Sequence, residues 1–141
     1  MSLPLAILLK KAALWWLLLC AAAFSAGAAR VKLLEPRLGE LTAHQIGTVF
    51  LCAAIAAAAY YAVTASNLTP ADALALGTTW FLLTLAFEFG FFHFAMGVPW
   101  EKLLADYKIW EGRIWPFALA SDLLAPWLIG LWLKASAGNA A

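Results

Sequence analysis

Four long apolar stretches, parted by short polar segments, make up most of this chain. They run over residues 12–29, 43–64, 70–96 and 116–134. Each is near the ~20 residues that cross the hydrocarbon core of a bilayer, and the third is long enough to tilt. Helix signals mark several ends. Thr42-x-x-Gln45 reads as a capping box opening the second helix. Thr69-Pro70-Ala71-Asp72 supplies an N-cap, a first-turn proline and an acid to open the third. Gly97 and then Pro99 close it. Between the third and fourth stretches lies VPWEKLLADYKIWEG. Trp100, Leu103, Leu104, Tyr107 and Trp110 fall there on one helical face, with Glu101, Lys102, Lys108 and Glu111 elsewhere. That pattern predicts an amphipathic helix over 99–111, lying in the headgroup plane and stopped by Gly112. The expected architecture is all-α: one membrane domain over 1–141, a four-helix transmembrane bundle with an interfacial helix between spans three and four.

Composition agrees with that class. Of 141 residues 65% are hydrophobic and 12% charged, and mean hydropathy is +0.86. A soluble domain carries about 25% charged residues. Net charge is +1, and the basic residues flank apolar segments rather than forming a stripe, which argues against a nucleic-acid partner. Cys20 and Cys52 lie inside apolar stretches and read as small apolar fillers. Lys10-Lys11, ALWWLLLCAAAF and SAGAA also match the three regions of a secretory signal. Three further spans in need of a packing partner favour a retained first helix. Six of the nine basic residues fall in the segments 30–42 and 98–113. The positive-inside rule therefore puts both segments in the cytoplasm. The small residues of AAAFSAGAA and CAAIAAAA are expected to pack on each other, since helices in lipid associate through close backbone approach.

Two acids sit where acids are costly. Glu88 and Asp122 each lie inside an apolar stretch, where a carboxylate costs about 3 kcal/mol on insertion scales. At 1.5 Å per residue they fall about 13 Å and about 9 Å from the same end of spans three and four. Adjacent helices would bring them to one level, to share a proton or bridge a cation. Pro126 frees the carbonyl of Asp122, and Ser121 adds a hydroxyl, so a small hydrated pocket is expected there. Arg113 opens span four and is placed to pair with an acid on span three. His93 lies five residues past Glu88, about 140° around an α-helix. His44 lies in the first turn of span two, near Glu40. Two histidines on separate helices also admit a haem or metal site, but no HxxxH or ExxH spacing supports one, and no cofactor is expected.

The stretches EPRLGELTAHQIGT and FEFGFFHFAMGVPWEKLLADYKIWEGRIWP resemble those of an uncharacterised family of small four-span bacterial inner-membrane proteins. The resemblance covers most of the chain. Its recurrent-looking positions here are Glu40, His44, Glu88, Gly90, His93, Trp100, Asp106, Tyr107, Gly112 and Arg113. It implies four spans and a bacterial inner membrane, and carries no reaction.

Three functions fit these residues. The first is proton or cation transport, or an accessory subunit of a transport complex, with Glu88 and Asp122 as the carboxyl site and His93 and His44 as a relay. The second is a membrane-embedded enzyme or haem- or metal-binding protein acting on an amphiphilic substrate through His44, Glu40 and Arg113. The third is a structural subunit whose charges lock the bundle. The expected partner is the lipid bilayer. A lone bundle leaves little room for a through pore, so conduction would require a homo-oligomer or a larger membrane complex.

Overall fold

The apolar runs wind as helices that continue past their polar ends. In a computed structural model, which describes residues 3–139, helix α1 spans Leu5–Leu38, α2 Glu40–Ser66, α3 Pro70–Ala95 and α5 Trp115–Asn139. These four are long and apolar enough to cross a membrane. A six-residue helix α4, Trp100–Ala105, lies between α3 and α5. No strand occurs among the described residues.

Several boundaries differ from expectation. Residues 30–38 are not a loop. The chain passes from α-helix into a π-helical turn over Arg30–Leu34 and then Glu35–Leu38, so Arg30, Lys32 and Arg37 ride on α1. Only Gly39 interrupts the helical path, at φ 81° and ψ 161°, where a side chain would be strained. Helix α2 starts right after it, without a side-chain cap. Thr42 is therefore inside the helix, and Gln45 donates to the Gly112 carbonyl at 2.9 Å instead of closing a box. The cap on α3 forms as read: Asp72 N–H donates to Thr69 Oγ1 at 3.2 Å and Thr69 N–H to Asp72 Oδ2 at 3.3 Å. From Ala86 to Ala95, α3 is wound as a π-helix. The stretch 99–111 is not one amphipathic helix. It breaks after α4 into a turn and a short 3-10 segment, Ile109–Glu111. Leu103 is buried and Trp110 is 81% exposed, so the predicted common face does not exist.

Packing is uneven. Helix α5 makes the most extensive contacts, with α3 and then α2, while α1 leans on α2 and α3. The α3–α5 seam depends on glycine. A Cβ at Gly77 would overlap the Leu123 carbonyl oxygen and stand 2.9 Å from that of Asp122. Pro126 supplies no N–H to the Asp122 carbonyl. The backbone of α3 thus closes over this freed group, and the hydrated pocket expected there does not form from it. Ser121 turns away, donating to Phe117 O at 2.7 Å. Trp80, fully buried, locks α1 to α3 by donating Nε1–H to Ala12 O at 3.0 Å. On α2 the alanines at 58, 59 and 62 are buried in this core. The matching stretch of α1 is not: Ala21, Ala22, Ala28 and Ala29 are exposed. Expected mutual packing of the two small-residue runs is thereby corrected.

The seam predicts a specific asymmetry. Gly77→Ala should lower stability by about 1–3 kcal/mol through overpacking. Gly138→Ala, with open space around it, should be neutral or gain up to about 1 kcal/mol of helix propensity. Thermal unfolding followed by circular dichroism reads both, and equal midpoints would contradict the close approach.

Candidate functional site

Glu88 is a buried acid held by two donors from outside its own helix. It projects from the π-helical part of α3, where hydrogen bonds run i→i+5 and functional residues are often found. Its Oε2 accepts Tyr107 O–H at 2.7 Å and Trp115 Nε1–H at 3.0 Å. The residue is 9% exposed. One carboxyl therefore pins the connector and the first residue of α5 to α3. Burial, and then the bond to Glu88, pushes the Tyr107 phenol well above its usual range.

Asp122 has separate partners. Thr84 Oγ1 donates to its Oδ2 at 2.8 Å, and Trp16 Nε1 donates to Thr84 Oγ1 at 3.0 Å. This chain of bonds joins α1, α3 and α5 at one depth. Glu88 and Asp122 share no hydrogen bond in the structure; each is satisfied by neutral donors on other side chains. Glu88 meets Trp115 at the start of α5, whereas Asp122, seven residues on, meets Thr84, so neither the common level nor the pairing expected of the two acids is observed.

A third group forms where α1, α2 and the connector meet. Arg113 donates to Glu40 Oε1 at 2.6 Å and to Asp106 Oδ1 at 3.3 Å. It does not reach Glu88, correcting the expected pair with span three. The bond to Glu40 raises the Arg113 guanidinium pKa further. Asp106 Oδ1 also stands 3.9 Å from His44 Nδ1. His44 is 5% exposed, and its Nε2 is buried with no hydrogen-bond partner among the described residues. A buried imidazole nitrogen left without a protein partner is uncommon.

His44, Glu88 and Asp122 are brought together by a cavity of about 770 Å³. Its body is apolar, walled by Leu19, Phe24, Leu51, Ile55, Phe87 and Phe92. The α1 segment that fails to close-pack contributes Ala23, Ala26, Gly27 and Ala28, so its small residues leave space rather than remove it. Asp122, Thr84 and Cys20 line one part, and Arg30, Lys32, Lys102, Asp106 and His44 another.

His93 stands outside this group. Its Nδ1 lies 2.8 Å from Val98 O and its ring stacks on Trp100 at 3.9 Å between centroids. It fastens the end of α3, and the relay with His44 is not seen. No cluster of three or more His, Cys, Asp or Glu is placed to hold a metal ion among the described residues. Residues that sequence reasoning did not assign to the site include Trp16, Thr84, Trp115 and Arg30. A hydroxyl at Thr84, one α-helical turn before Glu88, was the available clue.

Glu88 lends itself to a charge-versus-acceptor test. Glu88→Gln keeps a carbonyl oxygen that accepts both donors and should unfold close to wild type. Glu88→Leu leaves two buried donors without an acceptor, a penalty of about 1–3 kcal/mol for each. Unfolding in detergent distinguishes them, and equal losses would show that the acceptor role is not what holds Glu88. In comparisons of the chain with family models, curated proteins and solved structures, nothing matches.

Proposed function

We propose that this chain is a four-helix bundle of a bacterial inner membrane that binds one amphiphilic molecule in its cavity. The cavity carries the reading. Its volume of about 770 Å³ falls within the about 300–1,000 Å³ usual for small-molecule sites. Its walls are mostly hydrocarbon and one region is charged, which is the polarity pattern of a lipid-like guest. The bilayer setting draws support from the outer faces of the long helices. Leu14, Leu18, Phe50, Leu82, Phe117 and Leu128 are all more than half exposed. In water such a surface would aggregate; in hydrocarbon it is at home. Short α4, with Trp100 and Leu104 exposed beside Lys102, suits a membrane surface. Basic residues concentrate at the α4 end, which by the positive-inside rule supports a cytoplasmic side for it.

Within this reading Glu88 fastens the connector, Asp122 is a polar patch in an apolar chamber, and Arg30, Lys32 and Lys102 belong to the charged part of the wall. This is the amphiphile-handling alternative among the three readings of the sequence. Proton or cation transport through Glu88 and Asp122 has weaker support. Trp80, Leu76, Ile55, Ala59 and Val63 form a closely packed buried core. That core offers an ion no continuous polar route to the α2–α3 turn.

Native mass spectrometry after extraction into nanodiscs tests the reading. The wild type should retain one amphiphile per chain. Ala23→Trp, which fills the cavity wall, should lose it, while Ala21→Trp, on an exposed position outside the lining, should keep it. A wild type without bound amphiphile, or with occupancy unaltered by Ala23→Trp, would overturn the proposal.

A further inference from the structure

An acceptor oxygen deep in the cavity specifies more than a tail. We infer that the guest sets a hydrogen-bond donor, an O–H or N–H group, on Asp122 at the inner end of the cavity. This rests on the amphiphile-binding reading and adds the chemical class of the group that the guest carries at depth.

The two ends of the cavity differ. Its rim carries both signs, Arg30, Lys32 and Lys102 with Glu88 and Asp106, and so selects no charge. Its inner end is lined by Trp16, Cys20, Thr84, Ala118 and Asp122, with no Lys, Arg or His among them. Arg30 stands about 15 Å along α1 from Cys20, at the 1.5 Å rise of a helix. What a guest meets at depth is set by Asp122 and its neutral neighbours.

Hydrogen bonding among those neighbours runs in one direction. The indole of Trp16 can only donate, and it gives its N–H to Thr84 Oγ1 at 3.0 Å. Thr84 gives its single hydroxyl hydrogen to Asp122 Oδ2 at 2.8 Å. Both donors are thereby engaged, and the series ends in a carboxyl. Asp122 is 4% exposed, and its Oδ1 has no hydrogen-bond partner among the described residues. Of these residues, only His44 Nε2 is an unpartnered side-chain atom sealed in by protein. Asp122 Oδ1 is therefore open, and the space its residue borders is the cavity. A buried acceptor with unused lone pairs takes a donor. Alcohols and amines bring one, whereas ethers and quaternary ammonium groups bring none. Glu88, one turn along α3 from Thr84, also keeps Oε1 free. It lies against the connector rather than at the inner end, and the experiment separates the two acids.

The test is competition binding in phosphatidylcholine nanodiscs, with tritiated dodecanol as probe and each compound corrected for its partition into empty discs. Dodecanol should compete about tenfold or more better than dodecyl methyl ether, and dodecylamine likewise better than dodecyltrimethylammonium, the scale of one hydrogen bond to a charged group. Preference within either pair supports the donor, and the pair that shows it identifies O–H or N–H. Asp122→Asn keeps an oxygen for Thr84 but turns an amide N–H₂ toward the cavity, so the alcohol-to-ether ratio should fall to near one. Ser121→Ala, whose hydroxyl faces Phe117 O, should leave that ratio as in wild type. Should Asp122→Asn not fold, dodecanol with a diazirine beside its hydroxyl should label Cys20 and Ala118 in wild type. Labels at Val31 and Leu103 instead would overturn the inference. Equal competition within both pairs overturns it and leaves the tail site standing. A ratio lost in Glu88→Gln but kept in Asp122→Asn overturns it also. Absence of any saturable binding in wild type overturns the cavity reading and this inference together.

Discussion

A carboxyl buried among apolar side chains must find donors, and Glu88 finds them on two different elements. Tyr107 comes from the turn after α4 and Trp115 from the start of α5, both reaching the same oxygen. Desolvation makes the bonds strong and makes their loss costly. The connector is thereby held at the α3 surface, and the groups near it, Asp106 and Arg113, acquire fixed places. Arg113 then braces Glu40 on α2, and Asp106 approaches His44. Removing one acceptor would release the whole corner.

Against this ordered corner stands a looser one. Helices α3 and α5 close to backbone contact at Gly77, and α2 adds its alanine face to the same core. Helix α1 joins through Trp80 and Trp16 at mid-length, then runs on for several turns whose small residues leave room beside their neighbours. The cavity is the space between a tightly sewn three-helix unit and that second half of α1. Its apolar wall follows from hydrocarbon side chains on all four long helices. Its charged region follows from α1 continuing as helix past residue 29, which carries Arg30 and Lys32 onto the cavity wall.

The long helices could be read from apolar runs alone, because such runs have few alternatives to helix, and the Thr69–Asp72 cap was legible from residue types. What escaped was set by tertiary contacts. Arg30 and Lys32 looked like loop charges, yet the helix carries on through a π-helical turn and past Pro36 to Leu38. Gln45 had the spacing of a capping box, but a carbonyl at Gly112 competed for it. His93 and Glu88 were placed by α-helical angles in a segment wound as π-helix. The acids at 88 and 122 were rightly singled out as buried polar positions; their partners, Tyr107, Trp115 and Thr84, depend on a fold that spacing does not encode. Alanines in α1 and α2 have the same composition and opposite roles, one run bounding space and the other filling it.

The amphiphile-binding claim is tested most directly by photo-crosslinking with a long-chain alcohol carrying a diazirine in its tail, with adducts mapped by mass spectrometry. The account predicts adducts on the cavity walls, at Leu19, Phe24, Leu51 and Phe87, suppressed by excess dodecanol. Adducts confined to outward residues such as Phe50, Leu17 and Leu128, insensitive to that competitor, would contradict it.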